Sequence, residues 1–392
     1  MKLKQRPEDF QVKERTDIVP SEQGDFALYR LEKRGWTTPD ALGVLRRRWK
    51  IDHRRLSYGG LKDRHALTVQ HLTVLHGPRR NLDQQGILVT YLGQVSHPYS
   101  AQDIRANHFR ITLRKLDEGK LGRAEAALAA VREQGVPNYF DDQRFGSLAS
   151  GGSCVTPEFV ARLMVLGRHE DALRLALTAP YEFDRAAQKQ EKATLLAHWG
   201  DWEQCKENLP RGHARSLVDY LRVHPADFRG ALERLRPELR GLYLSAYQSH
   251  LWNRTLALYL RQLARPEQLL AVRLRLGEVP FHHNLDAEQF QQLVSATLPL
   301  ASARLKLDPD DPRGELVRAV LKDEGLELEQ MKLKGFREMF FSKGERPALC
   351  LPRELSASAE ADDLHPGRMK WQLAFELPRG SYATLLVKRL MG

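Results

Sequence analysis

Cysteine is scarce in this chain of 392 residues: three in all, Cys154, Cys205 and Cys350, far apart and without a C-x-x-C pair. That spacing argues against a disulfide framework and against a zinc site, and it fits a reducing compartment. No apolar run approaches the roughly 18 residues of a membrane span. The opening MKLKQRPEDF is basic without an apolar stretch after it, so no signal peptide is expected and the cytoplasm is. The phosphate-binding and nucleophile motifs of common enzymes are missing too: no Walker loop, no G-x-G-x-x-G, no G-x-S-x-G. The 14 histidines show no ligand spacing; His282 and His283 are adjacent and point apart. The residues themselves offer no metal-ligand or cofactor-binding motif.

Positive charge is what the chain has in excess. The formal net charge is +11 and the pI about 9.5. Residues 1–150 hold 26 Lys/Arg against 18 Asp/Glu, the remainder 35 against 32. Between 44 and 80 stand ten basic residues, among them Arg46, Arg47, Arg48, Lys50, Arg54 and Arg55, and two acids, Asp52 and Asp63. A focused positive field suits a phosphate backbone, and these six are the candidate nucleic-acid backbone contacts. A solvated helix face is the plainer alternative.

Periodicity divides the chain. Strand-like alternation surrounds Phe10 and Val12, and again Phe26, Leu28 and Leu31, read as near one face, with Gly35 ending the run. A helix is predicted from Thr38 as N-cap with Pro39 in its first turn, carrying Leu42, Leu45 and Trp49. LTVQHLTVL and NHFRITLRKL read as strands, LGRAEAALAAVREQ as a helix stopped by Gly135. GSLASGGSC, 146–154, reads as a linker. Mostly helix follows: two short helices broken at Gly167, a long amphipathic one with Leu244, Tyr247, Leu251 and Trp252 inward, and another over DPRGELVRAVLKDEG. Strand signals are expected again only at the end, as a hairpin of Met369 to Leu377, a turn at Pro378–Gly380, and Tyr382 to Lys388. The economical reading is an α+β domain made from both ends of the chain, with a helical domain inserted.

Three stretches carry candidate chemistry. In GGLKDRHALTVQ, Gly59 and Gly60 offer unusual backbone freedom, and Asp63 stands between Lys62 and Arg64. Flanking cations favour the charged carboxylate, a poor general acid and a serviceable nucleophile or base. An exposed turn with a weak ion pair is the competing reading. VPNYFDDQRFG sets Tyr139, Phe140 and Phe145 among Asn138, Gln143 and Arg144, the groups that stack on a base and read its edge; a plain loop with core rings competes. In FELPRGSYAT, Phe375 is placed over a pocket and Gly380 and Ser381 near a phosphate, against a plain hairpin.

Together these stretches resemble the TruD-type tRNA pseudouridine synthases. GLKDRHALTVQ resembles that family's catalytic motif, RPEDFQVKE its N-terminal motif, GVPNYFDDQRFG its Asn-Tyr-Phe-Gly-x-Gln-Arg-Phe-Gly motif, AYQSHLWN a helix of its inserted domain, and FELPRGSYAT its closing segment, all in the family's order. The resemblance implies a pseudouridine synthase core, a mixed or antiparallel sheet with flanking helices, interrupted by a mostly helical TRUD domain. It implies the boundaries 1–151 and 344–392 for the core and 152–343 for the insertion. It also implies the isomerisation of a uridine in tRNA, in the D-arm at position 13, without cofactor, by a monomer. Asp63 is the implied catalytic residue. Phe10, Asn138, Phe140 and Phe375 are implied substrate contacts, with Lys4, Glu8 and Arg64 near them, Lys4 or Arg64 as the cation beside Asp63. A non-catalytic RNA-binding relative, action on another RNA class, and a different RNA enzyme such as a phosphodiesterase are the alternatives. One departure stands out: Asp141 occupies the place of the motif's first Gly, at some cost if that position needs a positive φ. The linker also looks longer than usual.

Overall fold

The computed structural model describes residues 1–148, 158–181, 184–308 and 310–392. The chain separates into two compact units, Met1–Val136 with Cys350–Gly392, and Pro137–Leu349. These limits of compactness are 136/137 and 349/350, whereas the family resemblance implies 151/152 and 343/344. Most of the expected 146–154 linker, from residue 149 on, lies outside the described residues.

The first unit is a nine-stranded mixed sheet. Its strands are β1 (Phe10–Thr16), β2 (Phe26–Arg34), β3 (Leu56–Tyr58), β4 (Leu67–Leu75), β5 (Leu82–Gln84), β6 (Ile87–Val95), β7 (Ile104–Leu116), β8 (Arg353–Ala361) and β9 (Met369–Pro378). They run in the order β8-β9-β7-β1-β4-β2-β6-β5, with β3 pairing β4. β1 and β4 are parallel, Val12 opposite Thr68, and the other described pairings are antiparallel. β4 lies inside the sheet with both faces covered, which its run of β-branched residues allows.

Helix α1 (Thr38–Trp49) covers one face. Ala27, Tyr29 and Leu31 of β2, Leu72 and Val74 of β4, and Ile87 and Val89 of β6 pack against its Leu42, Leu45 and Trp49. Leu28, read from sequence as sharing a face with Leu31, instead joins Val95, Tyr99 and Ile104 in a separate cluster, as strict alternation requires. The N-cap is also one residue earlier than expected. Thr37 accepts the Asp40 N–H, which frees Thr38 to turn inward, where it is fully buried. Arg46, Arg47 and Arg48 crowd the last turn of α1, where the helix dipole favours cations.

Helices α2 (Glu118–Gln134) and α3 (Ala383–Met391) pack on each other. α3 corrects the expected terminal hairpin. Trp371, Leu373, Phe375 and Leu377 do alternate inward on β9, yet residues 383–391 form a helix rather than a returning strand. The reason is that β9 already has β8 on one side and β7 on the other, so no edge is open. Leu385, Leu386, Val387 and Leu390 bury at helical spacing instead.

The second unit is mostly helical. The expected break at Gly167 separates helices Val160–Val165 and His169–Thr178, with Gly167 at φ +73°. The long helix runs Pro237–Leu263 and buries Leu244, Tyr247, Leu251 and Trp252 as expected, and another follows at Pro312–Asp323. The expectation of no strands before the C-terminal segment is corrected. Leu269–Leu274 and Gly277–His282 form an antiparallel hairpin, and Thr297–Pro299 pairs with Glu345–Pro347.

Candidate active site around Asp63

Asp63 lies on the loop between β3 and β4. Gly59 permits the close approach with which that loop begins: a Cβ there would meet Ile104 Cδ1 at 2.6 Å and the Ser100 carbonyl oxygen at 2.9 Å. Gly60 has open space instead, and neither glycine takes a left-handed φ, so close packing at Gly59 is what matters.

The loop is then clamped by side chains from three elements. Gln70 Nε2 donates to the Gly60 carbonyl at 3.2 Å, and Gln70 Oε1 accepts from Thr38 Oγ1 at 2.9 Å. Thr38 Oγ1 accepts the Lys62 N–H at 3.0 Å. Lys33 Nζ, on a side chain that is almost wholly buried, donates to the carbonyls of Trp36 at 2.8 Å, Asp63 at 2.7 Å and Lys62 at 3.3 Å. Lys62 itself points inward to Glu14, Nζ to Oε2 at 2.9 Å. Glu14 Oε1 accepts the His71 N–H at 3.0 Å and the Tyr99 hydroxyl at 2.8 Å. Burial resists charging Glu14, but hydrogen bonding from His71 and the charge and hydrogen bond of Lys62 outweigh it and hold the carboxyl at about 2.

The Asp63 side chain emerges from this clamp about one-fifth exposed. Its Oδ2 accepts from Lys4 Nζ at 2.9 Å, and the same Nζ sits 4.0 Å from the centre of the Phe10 ring. Lys4 is at φ +57°, one of few non-glycine residues in the left-handed region. The cation on Asp63 Oδ2 is thus Lys4, 59 residues away in sequence, while Lys62 turns to Glu14 and Arg64 lies exposed with Nε at 3.4 Å from the Gly35 carbonyl. Glu8 pairs with Arg34 at 2.6 Å.

Phe10 packs edge-on against Phe109 at 6.2 Å, and Phe109 stacks on Phe375 at 5.5 Å. Lys4, Phe10, Asp63 and Phe375 therefore belong to one unit, with Phe109 as the unforeseen ring joining two of them. Phe10 and Phe375 are buried in that row, at 3% and 0% exposure, so Phe375 is a core ring rather than an open platform. Of the basic residues, Arg46, Arg47, Arg48, Lys50 and Arg54 are exposed. Arg55 instead donates to the Leu75 and His76 carbonyls at 2.9 and 2.7 Å.

Asn138 and Phe140 belong to the second unit. Asn138 is buried, its amide donating to the Pro347 carbonyl at 3.1 Å and accepting from Arg346 Nη2 at 2.7 Å. Phe140 is half-buried; its backbone N–H and carbonyl are both bound by Asn253, each at 2.8 Å. The Arg346 guanidinium lies 4.3 Å from the Phe140 ring centre, and Trp252 meets that ring edge-on. AYQSHLWN thus supplies, through Trp252 and Asn253, the support for the Asn-Tyr-Phe stretch. Asp141 has φ −86°, so the departure from Gly carries no left-handed strain. Arg346 was not singled out from sequence, and no periodic or motif signal marks it.

A cavity of about 670 Å³ in the second unit is lined by Phe145, Arg162, His250, Arg254 and Glu324 among others; of the VPNYFDDQRFG stretch only Phe145 lines it, and Asn138 and Phe140 do not. Among the described residues no group of three His, Cys, Asp or Glu side chains could hold a metal ion, and no helix is long and apolar enough to cross a membrane.

The family model described as tRNA pseudouridine synthase D (TruD) matches residues 1–390. The chain is 32% identical over 405 residues to tRNA pseudouridine synthase D of Geobacter metallireducens, covering 99% of this chain and 94% of that one. It is 27% identical to tRNA pseudouridine synthase D of Aquifex aeolicus, covering 100% and 98%. The crystal structure of a TruD protein from Methanosarcina mazei matches with a TM-score of 0.70 at 27% identity, over 99% of this chain and 93% of that one.

Proposed function

This chain belongs to the tRNA pseudouridine synthase D family, and on that premise we propose that it isomerises a uridine of tRNA to pseudouridine with Asp63 acting on the flipped nucleotide. The family makes it an RNA pseudouridine synthase, an isomerase. In the reaction the bond from N1 to C1′ breaks, the uracil rotates, and C5 bonds to C1′. N1 gains a proton and C5 loses one, so nothing is oxidised. The target atoms are inaccessible in stacked RNA, so the nucleotide must leave the stack at a cost of a few kcal/mol.

The observation that carries the reading is the Lys4–Asp63 pair: a partly exposed carboxylate on a clamped loop, with a cation on Oδ2 and an aromatic ring beneath that cation. Lys4 supplies a fixed counter-charge. The loop clamp keeps the carboxylate from swinging when a polyanion approaches. On the family pattern, Phe10, Asn138, Phe140, Phe375, Glu8 and Arg64 complete the substrate contacts. Of the three rings, Phe140 is half-buried and keeps the most surface with which to meet a base, whereas Phe10 and Phe375 are buried. Arg46, Arg47, Arg48, Lys50 and Arg54 hold the phosphate backbone, and Arg55 braces strand carbonyls. The insertion at 152–343, the D-arm target, monomeric action and a cytoplasmic setting belong to the same proposal.

The test is incubation of the purified protein with unmodified tRNA without added metal, followed by mapping of pseudouridine. Pseudouridine at one D-arm uridine in intact tRNA is the expected result. Cleaved strands would point to a phosphodiesterase, and bound, unmodified tRNA to a non-catalytic relative.

A further inference from the structure

Lys33 stands at the end of an inward row on β2. Ala27, Tyr29 and Leu31 precede it at every second position and pack under α1, and Lys33 continues the row with 1% of its surface exposed. A buried ammonium without partners is costly, and this one has three N–H groups aimed at three carbonyls: Trp36, Lys62 and Asp63. The carbonyls of residues 62 and 63 belong to the peptide planes on either side of the Asp63 Cα. Holding both fixes the backbone from which the carboxylate projects. A neutral amine has only two N–H groups and a lone pair, so it cannot satisfy all three oxygens.

We propose that Lys33 is a positioning residue for the reaction: its charged ammonium orients the loop so that the Asp63 carboxylate meets the substrate, and turnover requires Lys33 in the protonated form. This rests on the assignment of Asp63 above. Burial pushes the Lys33 amine down from the ordinary 10.5 to about 8; the Asp63 charge opposes that fall and the Lys62 charge adds to it. The neighbours across the sheet, Thr68 on β4 and Ile87 on β6, do not titrate in this range, and Trp36 offers only its carbonyl. Arg64 reaches toward the Gly35 carbonyl instead.

The consequence separates activity from stability. The folded value lies below the unfolded one, so between about pH 8 and 10.5 the unfolded chain binds more protons at this site. The contribution of Lys33 to stability therefore rises with pH across that window, while the competent loop geometry is lost.

The experiment measures kcat and KM on unmodified tRNA from pH 6.5 to 9.5, with tRNA affinity and thermal unfolding at each pH, for the wild type and Lys33→Met. The wild type is expected to lose about tenfold in kcat from pH 7 to pH 9, as one ionisation near 8 dictates, with tRNA affinity changed less than about twofold and no matching loss of stability. Lys33→Met is expected to be at least about tenfold slower at pH 7 and flat from 7 to 9. A wild-type kcat that stays level through pH 9, or a variant that keeps the wild-type limb, overturns the proposal. Should Lys33→Met not fold, the wild-type profile decides alone. Absence of pseudouridine at every pH would instead defeat the functional reading on which this rests.

Discussion

Replacing Glu14 by Gln tests the foundation of the site without touching a group that meets RNA. The Glu14 side chain has no exposure, and its carboxylate serves Lys62, the His71 N–H and the Tyr99 hydroxyl together. Its titration falls from 4.5 to about 2 in the folded protein. At 1.36 kcal/mol per decade, that depression corresponds to on the order of 3 kcal/mol of stability at neutral pH. Removing one member of a buried pair typically costs about 3–5 kcal/mol, which agrees. The sign is fixed: a carboxylate depressed on folding stabilises above its unfolded value, and the stability is lost as pH falls through the folded one. Urea unfolding at pH 7 should therefore show Glu14→Gln less stable by about 3 kcal/mol, with the gap narrowing as pH falls from about 4.5 toward 2. Lys62→Met should cost a similar amount, and the double variant less than the sum, because neither charge is then left buried alone. A Glu14→Gln protein within about 0.5 kcal/mol of wild type, or a gap unchanged down to pH 2, would refute the reasoning.

Gly59→Ala should cost about 1–3 kcal/mol and slow turnover, because its Cβ would meet Ile104 and the Ser100 carbonyl, whereas Gly60→Ala, with nothing within 4 Å, should leave stability nearly unchanged; thermal unfolding and kcat of the two decide. Equal effects would contradict the packing account. Replacing Arg46, Arg47 and Arg48 together by Gln should weaken tRNA binding and flatten its salt dependence by about 2–3 in log–log slope, with kcat at saturation preserved, as binding titrations between 50 and 200 mM salt would show. An unchanged slope would remove this face from the RNA path.

Much of the placement of the candidate residues was legible because chemistry and periodicity point the same way. That Asp63 stands on a glycine-led loop, and Phe10 and Phe375 on alternating strands, could be read from residue type and spacing; their roles came only from the family resemblance. The terminal segment misled because Tyr382 to Lys388 has strand-like composition, and only the two neighbours of β9 reveal that no edge remains for it. The cation at Asp63 could not be read locally. Adjacent side chains diverge, so Lys62 goes to Glu14, and Lys4 arrives from 59 residues earlier in the sequence. Glu14 and Lys33 did leave a signal. Each stands at the inward position of an alternating row, after Phe10 and Val12 or after Ala27, Tyr29 and Leu31, where an isolated charge must find buried partners. Arg346 left none, because its contacts with Asn138 and Phe140 join segments some 200 residues apart.

The central claim is that the carboxylate of Asp63 performs the chemistry. Tritium release from tRNA carrying 5-tritiated uridine, compared between the wild type and Asp63→Asn at equal tRNA occupancy, addresses it most directly. The account predicts a fall of at least about a hundredfold in release for Asp63→Asn, with tRNA affinity within about twofold of wild type. Release at the wild-type rate by a folded, tRNA-bound Asp63→Asn protein would contradict it.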